Sequence, residues 1–175
     1  MNSEWMERTL ADLFEFSSGK SIAPGGDGAF PAYGSNGLIG RSPTSLFSSG
    51  IIIGRVGAYC GSVALGAGPF WASDNTIVAR PRAGVVDLRF AFYLLLNAKL
   101  NSWAGGAAQP LLTQSVLKPL RFPVPSLQVQ VRIASLLGAY DDLIEVNRRR
   151  IALLEEMARR LFVEWFVHLR FPGHD

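Results

Sequence analysis

"SLQVQVRIASLLGAYDDLIEVNRRRIALLEEMARRLFVEW", residues 126–165, is the stretch whose reading decides the fold. It holds no proline, and Gly138 is its only glycine. Ile133, Leu137, Tyr140, Ile144, Asn147, Ile151, Leu154, Ala158, Leu161 and Trp165 succeed one another in alternating steps of four and three residues. That spacing is the seam of a heptad helix with one polar member, Asn147. Ser126 suits the N-cap, and a helix from Leu127 to Leu169 would run about 64 Å at 1.5 Å per residue. So long a rod cannot bury its seam on a domain of roughly 125 residues. It needs another helix alongside. A polar seam residue fixes register or orientation at some cost in stability. The alternative is that Asn147, with Arg148, Arg149 and Arg150 after it, separates two shorter helices.

Before Pro125 the chain has a different grammar, with short apolar runs between Gly, Pro and Ser. "EWMERTLADLFEFSSG" reads as a short helix or a strand leading into one. Ile51–Ile53 and Tyr59–Leu65 read as strands tied by Gly54 and Gly57, and "NTIVARP" as another stopped by Pro81. Asp87 caps a helix whose apolar positions are Phe90, Tyr93, Leu94 and Asn97. "LKPLRFPVP" is extended because of its three prolines. The fold class is therefore α+β: a small mixed domain over residues 1–125, then a long helix with a short tail over residues 126–175.

The glycines of "YGSNGLIG", residues 33–40, invite comparison with a phosphate loop. Their spacing is G-x-x-G-x-x-G, no Gly-Lys-Ser/Thr follows, and "RSPTSLFSSG" downstream does not read as a helix. Asn36-Gly37 instead suits a two-residue hairpin turn, because both residues tolerate positive φ.

Composition narrows the classes further. No run of about 18 apolar residues is present, and "MNSEWMERTLADLFEF" lacks the apolar core of a signal peptide. A cytoplasmic location is the simplest expectation. Cys60 is the single cysteine, so no internal disulfide and no multi-cysteine zinc pattern is available. Residues 16–125 carry nine basic side chains against three acidic ones, while residues 126–175 balance. Arginine outnumbers lysine 14 to 3. Its planar fork matches phosphates and guanine edges, although a solubilising surface would have the same composition.

Catalytic patterns are missing: no G-x-S-x-G elbow, no H-E-x-x-H, no Walker sequence and no Asn-Pro-Pro-aromatic set. Asp141-Asp142 lies on the long helix, where a solvated face is the ordinary reading. These absences point to a binding protein. The candidates for DNA contact are Lys20, Tyr33, Ser35, Asn36, Arg41, Arg55, Tyr59, Asn75, Gln109 and Lys118. Arg, Asn and Gln can make two hydrogen bonds to a base edge, while Ser, Tyr and Lys suit phosphates. Each alone could be structural; Arg55, for example, could simply pair with Asp74.

The order "YGSNGLIG", "IIIGRVGAYCGSV", "SDN", "QPLLTQSVLKPLRFPVPSLQVQVRIASLL" resembles the target recognition domain of type I restriction-modification specificity (S) subunits. "LLEEMARRLFVEWFVHLRFPGHD" is similar to that family's spacer helix and its end. The resemblance covers nearly the whole chain. It implies a non-catalytic subunit without a cofactor of its own. Such a subunit reads one half of a bipartite site on double-stranded DNA. It scaffolds methyltransferase (M) subunits, which hold the methyl donor, and restriction (R) subunits. The family pairs two such helices as an antiparallel coiled coil. The partner expected for the seam from Ile133 to Trp165 is thus a second copy, in a homodimer, or the other half of a longer S subunit. The competing expectation is an interaction adaptor that dimerises through its helix.

Overall fold

A computed structural model describes residues 5–21, 28–106 and 109–173. Strand β1 (Met6–Thr9) leads into a single helical turn, α1 (Leu10–Leu13). Thr9 and Asp12 start that turn reciprocally. The Thr9 hydroxyl accepts from the Asp12 N–H at 3.1 Å, and the Asp12 carboxylate accepts from the Thr9 N–H at 2.9 Å. The Thr9 hydroxyl, which also donates to the Asp12 carboxylate at 2.6 Å, and then the Thr9 N–H hold that carboxyl below its ordinary pKa. Next come β2 (Phe14–Ser18), the hairpin β3 (Phe30–Gly34) and β4 (Gly37–Ser42), and β5 (Gly50–Gly54). A 3₁₀ turn at Gly57–Tyr59 precedes β6 (Val63–Gly66), β7 (Trp71–Ala72) and β8 (Thr76–Pro81). Helix α2 (Leu88–Asn97) starts at Asp87, whose carboxylate accepts from the Phe90 N–H at 2.9 Å. A 3₁₀ turn (Leu100–Trp103), α3 (Gln114–Leu117), β9 (Arg121–Val124) and α4 (Leu127–Phe162) complete the order, with a π turn at Val163–Val167.

Among the described residues the strands form three sheets, ordered β1-β9, β2-β8-β5-β6 and β4-β3-β7. Alternation along β5 explains how the second and third share a core. Ile51 and Ile53 point into the larger cluster, with Phe14, Phe90 and Leu95, whereas Ile52 packs with Phe70, Ala72 and Val78. A central strand buried on both faces calls for an uninterrupted apolar run, and "GIIIG" is buried throughout. Pro123 is tolerated because among the described residues β9 pairs with β1 alone, leaving its other edge without a ladder there.

The chain divides into two compact units, residues 1–134 and 135–175. The first two turns of α4 belong to the first unit. Ala134 is buried in its core, Ile133 is half-buried against it, and Gln130 is only 1% exposed. The Gln130 amide is fully used. Its oxygen accepts from the Asp87 N–H at 2.9 Å, and its nitrogen donates to the carbonyls of Pro125 at 2.9 Å and Val85 at 3.3 Å. The same side chain therefore fixes the start of α4 and the start of α2.

In the second unit α4 continues through Asn147 without a break, so the reading as two shorter helices is set aside. Its 36 residues make a rod of about 54 Å, shorter than the sequence suggests. The α-helical ladder stops at Phe162, where the backbone widens so that the His168 N–H bonds to the Val163 carbonyl at 2.9 Å. Leu169, at φ 55°, lies beyond the helix rather than at its end. Glu145–Arg149 and Glu156–Arg160, each 2.8 Å apart, are four-residue pairs on the exposed surface.

Seam residues on this unit stand in solvent: Ile144, Ile151 and Leu154 are 48%, 56% and 63% exposed. A second apolar stripe lies beside them. Leu136, Ala139, Leu143, Val146, Leu153 and Met157 fall at the same alternating spacing, interrupted at Arg150, and all are exposed. Together the two stripes cover an arc of about 160° on a 3.6-residue helix. Among the described residues no helix is long and apolar enough to cross a membrane.

Three local expectations need correction. The hairpin turn is Ser35-Asn36, with Gly34 opposite Gly37, and only Gly37 takes positive φ, at 93°. A glycine in that conformation just after a two-residue turn matches the bulged class of hairpin. Tyr59–Ser62 is a turn, not a strand, because Gly57 (φ 72°) and Gly61 (φ 86°) fold the chain back onto Gly54. Helix α2 buries Phe90, Ala91 and Leu95, and Asn97 is exposed. The run "FAFYLLL" lacks the polar contrast that would mark a face.

Replacing Gln130 with Leu would leave one N–H and two carbonyls without their partner. We expect a loss of about 2–3 kcal/mol, measured as a lower urea midpoint. An unchanged midpoint would mean that water replaces the amide.

Candidate nucleic-acid interface

Strand direction gathers the polar turns at one end of the first unit. Ser18 pairs with Ile77, Gly54 with Thr76 and Ile53 with Val63, so β2 and β5 finish where β6 and β8 begin. In the neighbouring sheet β3 and β7 run parallel, with Tyr33 beside Ala72, and finish at the same rim. Hydrogen bonds stitch the turns together. The Ser73 N–H donates to the Tyr33 carbonyl at 2.8 Å, and the Arg55 N–H to the Asn75 carbonyl at 3.0 Å. The Ser35 hydroxyl donates to the same Asn75 carbonyl at 2.6 Å, and the Ser62 hydroxyl to the Ser35 carbonyl.

Gly54 sits where these turns converge. A Cβ there would come within 2.5 Å of the Ser62 hydroxyl, 2.6 Å of the Tyr59 carbonyl and 2.9 Å of the Ser35 carbonyl. Between these turns opens a cleft of 410 Å³ lined by Ser35, Asn36, Ile39, Tyr59, Asp74 and Asn75, among others. The loop carrying Gln109 joins the same rim, since the Gly57 N–H donates to the Pro110 carbonyl at 3.2 Å and the Leu112 N–H to the Arg55 carbonyl at 2.8 Å. Lys20 lies alongside, its N–H bonded to the Ala72 carbonyl at 2.9 Å and its own carbonyl to the Trp71 indole at 3.0 Å.

Of the ten candidate DNA contacts, Lys20, Tyr33, Ser35, Asn36, Arg55, Tyr59, Asn75 and Gln109 meet at this rim. Lys20, Asn36, Tyr59, Asn75 and Gln109 are exposed there. Tyr33 is half-buried, edge-on to Phe70 with ring centres 5.7 Å apart. The Ser35 hydroxyl is already engaged with Asn75. Arg55 is half-buried and makes no ion pair with Asp74; its Nε is enclosed without a hydrogen-bond partner among the described residues. The structure does not bring Arg41 and Lys118 to the rim. The Arg41 guanidinium donates to the carbonyls of Gly28 and Ala29, at the far end of the β3–β4 hairpin. Lys118 closes α3, and its carbonyl accepts from the Ala11 N–H at 3.1 Å. Arg80 and Arg82 also lie away from it, sharing Glu15 at 3.1 and 3.3 Å.

Two lining residues stand outside the ten candidates, Asp74 entering the sequence reading only as a possible partner of Arg55. Ile39, with its neighbour Leu38, is an exposed aliphatic on β4, 43% and 64% accessible. Asp74 is the carboxylate of the cleft. The signal for the first was available, since two adjacent aliphatics on an edge strand cannot both face one core. Cys60 is buried behind the Arg55 turn, its thiol donating to the Arg55 carbonyl at 3.3 Å, and burial pushes its pKa up. That is the environment of a structural thiol rather than a nucleophile.

Residues 2–156 match the sequence family described as the type I restriction modification DNA specificity domain. The chain is 30% identical over 148 residues to the type I restriction enzyme EcoprrI specificity subunit of Escherichia coli, covering 80% of this chain and 37% of that protein. It is 32% identical over 126 residues to the MjaIX specificity subunit of Methanocaldococcus jannaschii, covering 70% and 29%. Among solved structures, the type I restriction-modification S subunit from M. genitalium superposes with a TM-score of 0.76 at 25% identity, covering 94% of this chain and 45% of that one. The chain thus spans less than half the length of each of these proteins.

Gly54→Ala is expected to spread the turns. We anticipate about 1–3 kcal/mol of destabilisation, read by urea unfolding, with amide chemical-shift changes concentrated at Ser35, Tyr59 and Ser62. Small, scattered shifts would mean that the three turns do not converge on Gly54.

Proposed function

We infer the function from one premise: this chain belongs to the family of type I restriction-modification DNA specificity domains. On that basis residues 1–134 form a DNA-reading head that recognises one half of a two-part site and performs no chemistry itself. The observation that carries this reading is the rim. Separate turns place exposed Asn36 and Asn75 amides beside Tyr59 in one cleft, and the backbone bonds at Pro110 and Lys20 bring exposed Gln109 and Lys20 to the same end of the sheets. Amides can hold two positions of an adenine edge, while lysine and tyrosine suit phosphates. A two-stranded β-hairpin such as β3–β4 also fits the width of the major groove.

Residues 135–175 are the assembly element in this proposal. The stripe of Leu137, Tyr140, Ile144, Asn147, Ile151, Leu154, Ala158, Leu161 and Trp165 pairs with an antiparallel helix, from a second copy or from the remainder of a longer S subunit. In the homodimer, a two-fold axis would present two heads to inverted half-sites. The exposed second stripe supports a further helical neighbour, contributed by the methyltransferase subunits. They carry the methyl donor, and restriction subunits join the same assembly. The cytoplasm, where such an assembly meets chromosomal DNA, is the proposed location.

The test is DNA binding by the chain together with its methyltransferase subunits, measured at rising salt. Phosphate neutralisation makes log K fall linearly with log salt, by about 0.9 for each phosphate contacted. Lys20→Ala should reduce that slope by about one contact and weaken all sequences alike. Absence of any salt-dependent binding would favour a protein-interaction adaptor instead.

A further inference from the structure

Within the reading just given, we propose that Asp74 is a specificity-determining residue that accepts a hydrogen bond from an exocyclic amino group, cytosine N4 or adenine N6, in the major groove. Asp74 occupies the turn from Ser73 to Thr76, closed by the Thr76 N–H on the Ser73 carbonyl at 3.0 Å. It is exposed and lines the rim cleft beside Asn36, Tyr59 and Asn75. Its carboxylate has neither an ion pair nor a hydrogen bond among the described residues, although Arg55 is close in the fold. The turn holds without it, since the Thr76 hydroxyl also donates to the Ser73 carbonyl at 2.7 Å.

An unpaired carboxylate on a DNA-facing rim repels phosphates, and it can only accept hydrogen bonds. The donors that a major groove offers are the amino groups of cytosine and adenine; guanine and thymine present acceptors at the corresponding place. Asp74 therefore favours an amino base and rejects a keto base at one position. Asn75, adjacent, can engage the neighbouring edge.

The experiment selects duplexes from a randomised pool with the chain assembled on its methyltransferase subunits, comparing wild type with Asp74→Ala and Asp74→Asn. Wild type should require cytosine or adenine at one position, and the enriched base tells which amino group is read. Asp74→Ala should lose about tenfold discrimination there and keep the rest of the site, with an unchanged thermal melt. Asp74→Asn, which can both accept and donate, should admit guanine or thymine. Unaltered preference at every position overturns the proposal, as does uniformly tighter binding to all sequences, the mark of a carboxylate that merely repels phosphate. A wild-type assembly that selects no sequence overturns both this proposal and the reading beneath it.

Discussion

A helix that is apolar around nearly half its circumference cannot stay in water by itself, and the organisation of this protein follows from that. Burying one Leu or Ile side chain contributes about 1.5–3 kcal/mol. Along α4 the exposed set includes Leu143, Ile144, Ile151, Leu153, Leu154, Met157 and Leu161, each at least 48% accessible. Charged pairs such as Glu145–Arg149 occupy the remaining arc and contribute only tenths of a kcal/mol each. The favourable energy left unrealised on this helix thus exceeds anything its polar face supplies. A single apolar stripe asks for one partner helix; two adjacent stripes ask for more than one neighbour. Asn147, the polar member of the first stripe, is placed to choose among registers at the expense of stability.

The head meets a different constraint, that of holding short turns from two sheets rigidly together. Gly54 does this by having no side chain, letting Ser35, Tyr59 and Ser62 approach within 3 Å of its missing Cβ. The Asn75 carbonyl, shared by the Arg55 N–H and the Ser35 hydroxyl, locks three turns with one acceptor. Positive charge is not heaped at this rim. Arg80 and Arg82 are paired with Glu15, and Arg41 is engaged with backbone carbonyls. Its chemistry is weighted instead toward amides and a carboxylate, groups that discriminate base edges better than they hold phosphates.

Much of this was legible from the residues alone. The alternating positions from Leu137 to Leu161, the Asp87 cap, the "YGSNG" hairpin and the buried isoleucine strand each carry a local signal that tertiary contacts did not override, whereas Ile133 is drawn half-buried against the head's core and Trp165 falls in the π turn after Phe162. The second stripe is hard to read in the sequence because Leu136, Leu143 and Met157 share the period of the first, so both answer to one repeat. Gln130 looked like any polar residue on a helix; only the approach of Asp87 and Val85 from distant sequence makes it a buried linchpin. Arg41 and Lys118 have the side-chain chemistry of the rim, but the course of the chain carries them to other parts of the head. The face of α2 was illegible for want of polar contrast.

The most direct measurement is the solution molar mass of the chain by light scattering, followed on dilution and paired with amide hydrogen exchange along α4. The expected result is a species of at least twice 19.0 kDa, with slowed exchange at Ile144, Ile151 and Leu154. A monodisperse 19.0 kDa particle with residues 135–162 helical and freely exposed at high concentration would contradict it.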